Sequence, residues 1–61
     1  MKIILDGKEV DISGKTVEDM FDELNLNSEI FLVKRNNEIV HEYEALNEGD
    51  RIELIKVISG G

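Results

Sequence analysis

Few residues in this 61-residue chain could do chemistry, and the sharpest feature is the last dipeptide of Ile58-Ser59-Gly60-Gly61. Two adjacent glycines are costly to order and add nothing to a core, so one reading is a frayed end or a cloning remnant. The functional reading is an extended tail that threads a narrow enzyme channel. Its carboxylate, free of flanking side chains, is then adenylated, and a nucleophile attacks the acyl-adenylate. Elsewhere the ingredients of catalysis are missing. The chain has no cysteine, which excludes cysteine-based zinc sites, intrachain disulfides and any thiol chemistry of its own. His41 is the single histidine, has no second ligand at metal spacing, and reads as a surface or turn residue. Glu42 and Glu44 flank Tyr43 without a partner base or nucleophile, and Glu18, Asp22 and Glu23 read as the solvated side of a helix. With no Ser-His-Asp, phosphate-loop or paired-acid arrangement, the chain is expected to be no enzyme and to bind no metal or cofactor.

Charge narrows the partners. Seven basic and fourteen acidic residues leave a net charge of −7. A nucleic-acid binder needs a basic face to neutralise phosphates, and anionic membranes repel an acidic domain, so neither partner is expected. The charge either keeps the domain soluble or suits a partner with a basic docking surface. Met1-Lys2 leads into only three apolar residues, far short of a secretory or transmembrane segment, so the expected address is cytoplasmic.

The elements that must position the tail follow from local pattern. Lys2-Ile3-Ile4-Leu5 reads as a strand, and Asp6-Gly7 as a two-residue hairpin turn whose central positions need positive φ. Glu9-Val10-Asp11-Ile12 alternates as a half-buried return strand should. Thr16 is placed as a helix N-cap, with Asp19 three residues on making a weak form of the capping box. Val17, Met20, Phe21 and Leu24 form one apolar stripe, so the helix should run to Leu24 or Leu26, with Asn25 and Asn27 marking its end. Ile30 through Arg35 reads as a continuous apolar strand, Asn36-Asn37 as a turn, and Glu38-Ile39-Val40 as a short strand. His41 to Leu46 has no period, with Ala45 and Leu46 expected to anchor it. Asn47-Glu48-Gly49-Asp50 is a turn into the last strand, Arg51 to Val57. One helix covers one face of a sheet, which makes this a two-layer α+β domain of the β-grasp type. The mixed sheet should hold four to five strands. The domain is expected over residues 1–57, with 58–61 as a flexible tail.

Alternation assigns faces. Ile3, Leu5, Val10 and Ile12 are expected under the helix, and Ile52 and Leu54 share one face of the last strand. Ile4 then points away from the helix, and Ile55 and Val57 share the opposite face with Arg51 and Glu53. A sheet covered on one side should not carry this apolar surplus outside. Scattered outward residues need no function. A contiguous patch of Ile4, Ile55 and Val57 with part of the third strand would be a docking surface, which the place of Ile55 and Val57 just before the tail favours.

The run Asn47-Glu48-Gly49-Asp50-Arg51-Ile52-Glu53-Leu54-Ile55-Lys56-Val57-Ile58-Ser59-Gly60-Gly61 resembles the end of a ubiquitin-like sulfur carrier. This family includes ThiS and MoaD. The likeness lies in the Glu-Gly-Asp turn, the apolar last strand and the final Gly-Gly. Phe31 to Val40 also resembles the family's third strand, turn and fourth strand, although Asn-Gly-Glu is commoner there than Asn36-Asn37-Glu38. The short chain sits closer to ThiS. The resemblance implies a carrier whose Gly61 holds the reactive carboxylate and whose Gly60 gives it access. A ubiquitin-activating-type enzyme would adenylate Gly61 with ATP, and a sulfurtransferase would convert it to a thiocarboxylate. The acceptor would be an enzyme such as thiazole synthase or the large subunit of molybdopterin synthase. Ile4, Ile55, Val57, Ile58 and Ser59 would meet these partners. Two other functions stand beside this one: a ubiquitin-like modifier joined to lysines through Gly61, and a β-grasp interaction module with an incidental tail.

Overall fold

The computed structural model describes residues 1–57, and its first turn obeys its residue types. Asp6 and Gly7 take φ of 48° and 84°, the left-handed pair that joins two strands with matching twist. They connect β1 (Lys2–Leu5) to β2 (Lys8–Asp11) as an antiparallel hairpin. Asn36 and Asn37 repeat the device at φ 50° and 73°, joining β3 (Phe31–Arg35) to β4 (Glu38–Val40). Asparagine tolerates this region better than other residues with a Cβ, which is why the pair serves without a glycine.

The helix α1 (Val17–Glu23) is shorter than the apolar stripe suggests, and its end has a specific cause. Leu24 is the C-cap and Asn25 turns left-handed at φ 55°. The Leu26 amide then reaches back to the Phe21 carbonyl at 2.9 Å, and the Asn25 amide to that of Asp22 at 3.3 Å. This double bond-back is a Schellman motif, and it returns Leu26 to the core beside the last turn. Leu24 therefore packs with the stripe as expected, and Leu26 joins the core, though neither is helical. At the other end Thr16 and Asp19 form the reciprocal capping box. The aperiodic stretch after β4 completes the cap, because the Glu44 and Glu42 carbonyls accept from the Val17 and Glu18 amides at 3.0 and 2.9 Å. Those are orphan donors of the first helical turn. Leu46 is buried as expected, while Ala45 is exposed and anchors through its backbone, bridged to Thr16 and accepting from Arg35 Nη1.

The last strand, β5 (Arg51–Lys56), enters the middle of the sheet, giving the order β2-β1-β5-β3-β4. It runs parallel to β1 and antiparallel to β3. Five strands with α1 on one face make the β-grasp architecture expected from the sequence. The core lies between them: Ile3, Ile12, Val17, Met20, Phe21, Val33, Leu46 and Ile52. Burying each such side chain fully stabilises the fold by about 1.5–3 kcal/mol. Ile12 falls just past β2 yet stays buried, its amide bonded to the Met1 carbonyl at 2.9 Å.

Candidate functional site

The outer face of the sheet is built by the register of β5. Ile52 and Val33 are buried beneath α1, so the residues alternating with them point outward. Leu32 and Ile55 are directly opposed across β3 and β5. The Val57 amide donates to the Ile30 carbonyl at 2.7 Å, which carries the same alternation one pair past the strand. Ile30, Leu32, Ile55 and Val57 thus gather at the C-terminal end of β5. Leu32 and Val57 keep 44% and 40% of their surface exposed, and Ile55 is half-buried among them. Ile39 on β4, 58% exposed, opposes Lys34 and lies diagonal to Leu32, extending the patch sideways. Sequence reading included β3 only in part and missed Ile39, although its alternation with half-buried Val40 was a usable signal.

Ile4 stands apart from this patch. Its partner in the parallel pairing is Arg51, four residues before Ile55, which places the two isoleucines about 13 Å apart along the sheet. Arg51 and Glu53 lie between them, and Ile4 instead floors a polar depression with Asp6, Lys34, Asn36 and Glu53. The outer face therefore divides into an apolar end at Val57 and a mixed-charge middle. Ile58, Ser59, Gly60 and Gly61 lie outside the described residues.

The Glu-Gly-Asp turn positions β5 rather than forming a reactive site. Gly49 has φ of 82°, and its amide meets the Lys2 carbonyl at 2.7 Å. Asp50 is buried, yet both of its carboxylate oxygens are used: Oδ2 accepts from the Asn47 amide at 2.8 Å and Oδ1 from Asn36 Nδ2 at 3.2 Å. Asn36 in turn accepts from the Arg51 amide at 3.0 Å, which clamps the β3–β4 turn to the first residue of β5. The start of β5 is thereby locked at the end far from Val57.

The other titratable groups have structural work. Glu23 accepts from the Ser13 and Gly14 amides at 2.8 and 2.6 Å, which holds its carboxyl below the usual range. Asp19 is lowered likewise by the amides of Lys15 and Thr16, at 2.9 and 3.2 Å. Such bonds favour the ionised form. His41 faces Glu44 at 3.6 Å and stacks obliquely on Tyr43, out on the surface. Among the described residues no group of three or more His, Asp or Glu could hold a metal ion, and no helix is long and apolar enough to cross a membrane.

A β-grasp sheet with an apolar patch at the exit of its last strand still fits several families, and comparison decides among them. The model of the ThiS family matches residues 3–61, nearly the whole chain. The chain belongs to the ThiS family of ubiquitin-like sulfur carriers. It is also similar to a thiazole synthase from Paramagnetospirillum magneticum, 38% identical over 66 aligned residues that take in all of this chain. Those residues are 20% of that protein, so the chain spans about a fifth of the length of the curated relative it matches.

Proposed function

We propose that this chain carries sulfur as a thiocarboxylate on Gly61 for assembly of the thiazole of thiamine. The observation that carries the reading is the family match, which runs through the final Gly-Gly of a domain with no catalytic constellation of its own. A carboxylate is a poor electrophile, so the first step is activation. A Gly61 oxygen attacks the α-phosphorus of ATP in a ubiquitin-activating-type enzyme, and pyrophosphate leaves. The outer sulfur of a sulfurtransferase persulfide then attacks the acyl carbon and AMP leaves, and a partner thiol cleaves the resulting acyl disulfide, releasing the thiocarboxylate and leaving a disulfide on the partner. Gly60 contributes by having no side chain, which lets the tail enter a narrow channel. ATP is consumed by the partner, and this chain acts as a substrate rather than a catalyst. The apolar end of the outer face, with Ile55 and Val57, docks the activating enzyme alongside Ile58 and Ser59. The similarity to a thiazole synthase supports an acceptor of that class over molybdopterin synthase.

Mass spectrometry of the protein isolated from its native cell tests this directly. The expected species has one C-terminal oxygen replaced by sulfur. Gly61 joined through isopeptide bonds to lysines of other proteins would instead make the chain a modifier. If deleting Gly60-Gly61 left its adenylation unchanged, both would fall.

A further inference from the structure

β5 is hydrogen-bonded along one edge for its whole length and along the other for only its first half. On the β3 side the Val57 amide meets the Ile30 carbonyl at 2.7 Å and the Asn36 amide meets the Arg51 carbonyl at 2.8 Å. That sets the parity: odd-numbered residues of β5 exchange bonds with β3, and even-numbered ones face the β1 side. β1 pairs with β5 only at Ile4–Arg51 and Leu5–Ile52. The last main-chain bond on this side runs from the Asp6 amide to the Ile52 carbonyl at 2.9 Å. At the next position the Leu54 amide has no strand to meet and donates to the Asp6 carboxylate instead, at 3.2 Å. Beyond it, the Leu54 carbonyl and both main-chain groups of Lys56 have no partner among the described residues. The hairpin has already turned away at Asp6-Gly7.

We infer that this half-open edge accepts an extended segment of the adenylating partner as an added strand, continuing the line of β1. The inference rests on the reading of Gly61 as the activated group. Gly61 lies only four residues beyond Val57, a reach of at most about 14 Å. An enzyme that holds the Gly61 carboxylate in its active site must therefore abut this end of β5. Unpaired amides and carbonyls at strand spacing are what β-strand addition uses for affinity. The outward side chains of Ile55 and Val57 border the strip and give the added strand an apolar contact. Asp6 and Glu53 flank its inner end, and the chain carries −7 overall, so the complementary segment is basic.

Lys56 allows a test in which the side chain and the N–H are separated. Lys56→Pro deletes an N–H that faces the open edge and leaves the β3 ladder intact, and proline is tolerated at such an edge. Ile55 before it is already extended, as a residue preceding proline must be. Lys56→Ala removes the same side chain but keeps the N–H. In ATP–pyrophosphate exchange with the activating enzyme, Lys56→Pro should raise KM about tenfold over Lys56→Ala, the cost of one lost hydrogen bond at an interface. Equal KM for the two variants overturns the added strand while leaving the carrier reading standing. A wild-type chain that is never adenylated sinks both. Amide exchange on the wild-type complex gives an independent readout should the proline variant fail to fold. The Lys56 amide should become protected on binding, and unchanged exchange there refutes the inference.

Discussion

Ile55→Asp separates docking from folding more cleanly than any other substitution in this chain. Ile55 is half-buried on the outer face, directly opposed to Leu32 across the strand pair. Full burial of an isoleucine is worth about 1.5–3 kcal/mol, so exposing half of one costs about 1 kcal/mol. Loss of the cross-strand pair adds about 0.2–1 kcal/mol. The sum is about 1–2 kcal/mol. A 61-residue domain at about 0.05–0.15 kcal/mol per residue has about 3–9 kcal/mol in hand, so the variant should stay folded. Its melting temperature should fall by about 4–8 °C for each kcal/mol. Ile52→Asp is the control. That side chain is 2% exposed beneath α1, and truncation alone would cost about 2–5 kcal/mol before the burial of a charge. The Ile52 variant should be unfolded by circular dichroism. For docking, a truncated hot spot costs about 2 kcal/mol or more, which is about a 30-fold rise in KM for adenylation of Ile55→Asp with little change in kcat. Two results would refute the reasoning. If Ile55→Asp unfolds like the Ile52 variant, the outer face is load-carrying core. If it folds and is adenylated with unchanged KM, the patch is not the docking surface.

Three further outcomes follow from the local geometry. Asp50→Ala leaves the Asn47 amide and Asn36 Nδ2 without their acceptor, and urea denaturation should show a loss of about 1–3 kcal/mol with an unchanged m value. Glu23 is lowered from its ordinary 4.5 by the Ser13 and Gly14 amides, so it stabilises the fold fully above about pH 4.5 and loses that contribution as pH falls through its depressed folded value. Glu23→Gln should accordingly be less stable at neutral pH and should flatten the acid limb, read from urea midpoints taken down to about pH 3. Asn25→Gly keeps the left-handed C-terminal turn of α1, whereas Asn25→Val should lower stability by about 1–2 kcal/mol through Cβ strain at φ 55°.

Local chemistry carried most of the fold into the sequence. Asp6-Gly7 specifies its own turn, Thr16 and Asp19 specify their cap, and the stripe from Val17 to Phe21 needs only the helical period to declare its buried face. The β-grasp class was also legible once one helix and an opening hairpin had been counted, and the Gly60-Gly61 signal needs no tertiary structure at all. Asn25 was legible as the mark of the helix end, whereas the last helical residue, Glu23 rather than Leu24 or Leu26, follows only from the left-handed turn that Asn25 adopts. The division of the outer face was not legible. Whether Ile4 joins Ile55 depends on the parallel register of β1 against β5, and that pairing links residues 47 positions apart with no turn between them to set it. The same register leaves the Leu54 carbonyl and the Lys56 main chain without a strand partner among the described residues, and makes Asp6 stand in for the missing strand at the Leu54 amide. Period-2 alternation tells which face a side chain occupies. Only the docking of distant strands decides which neighbours it meets there, and therefore how much of the surface beside Val57 a partner can use.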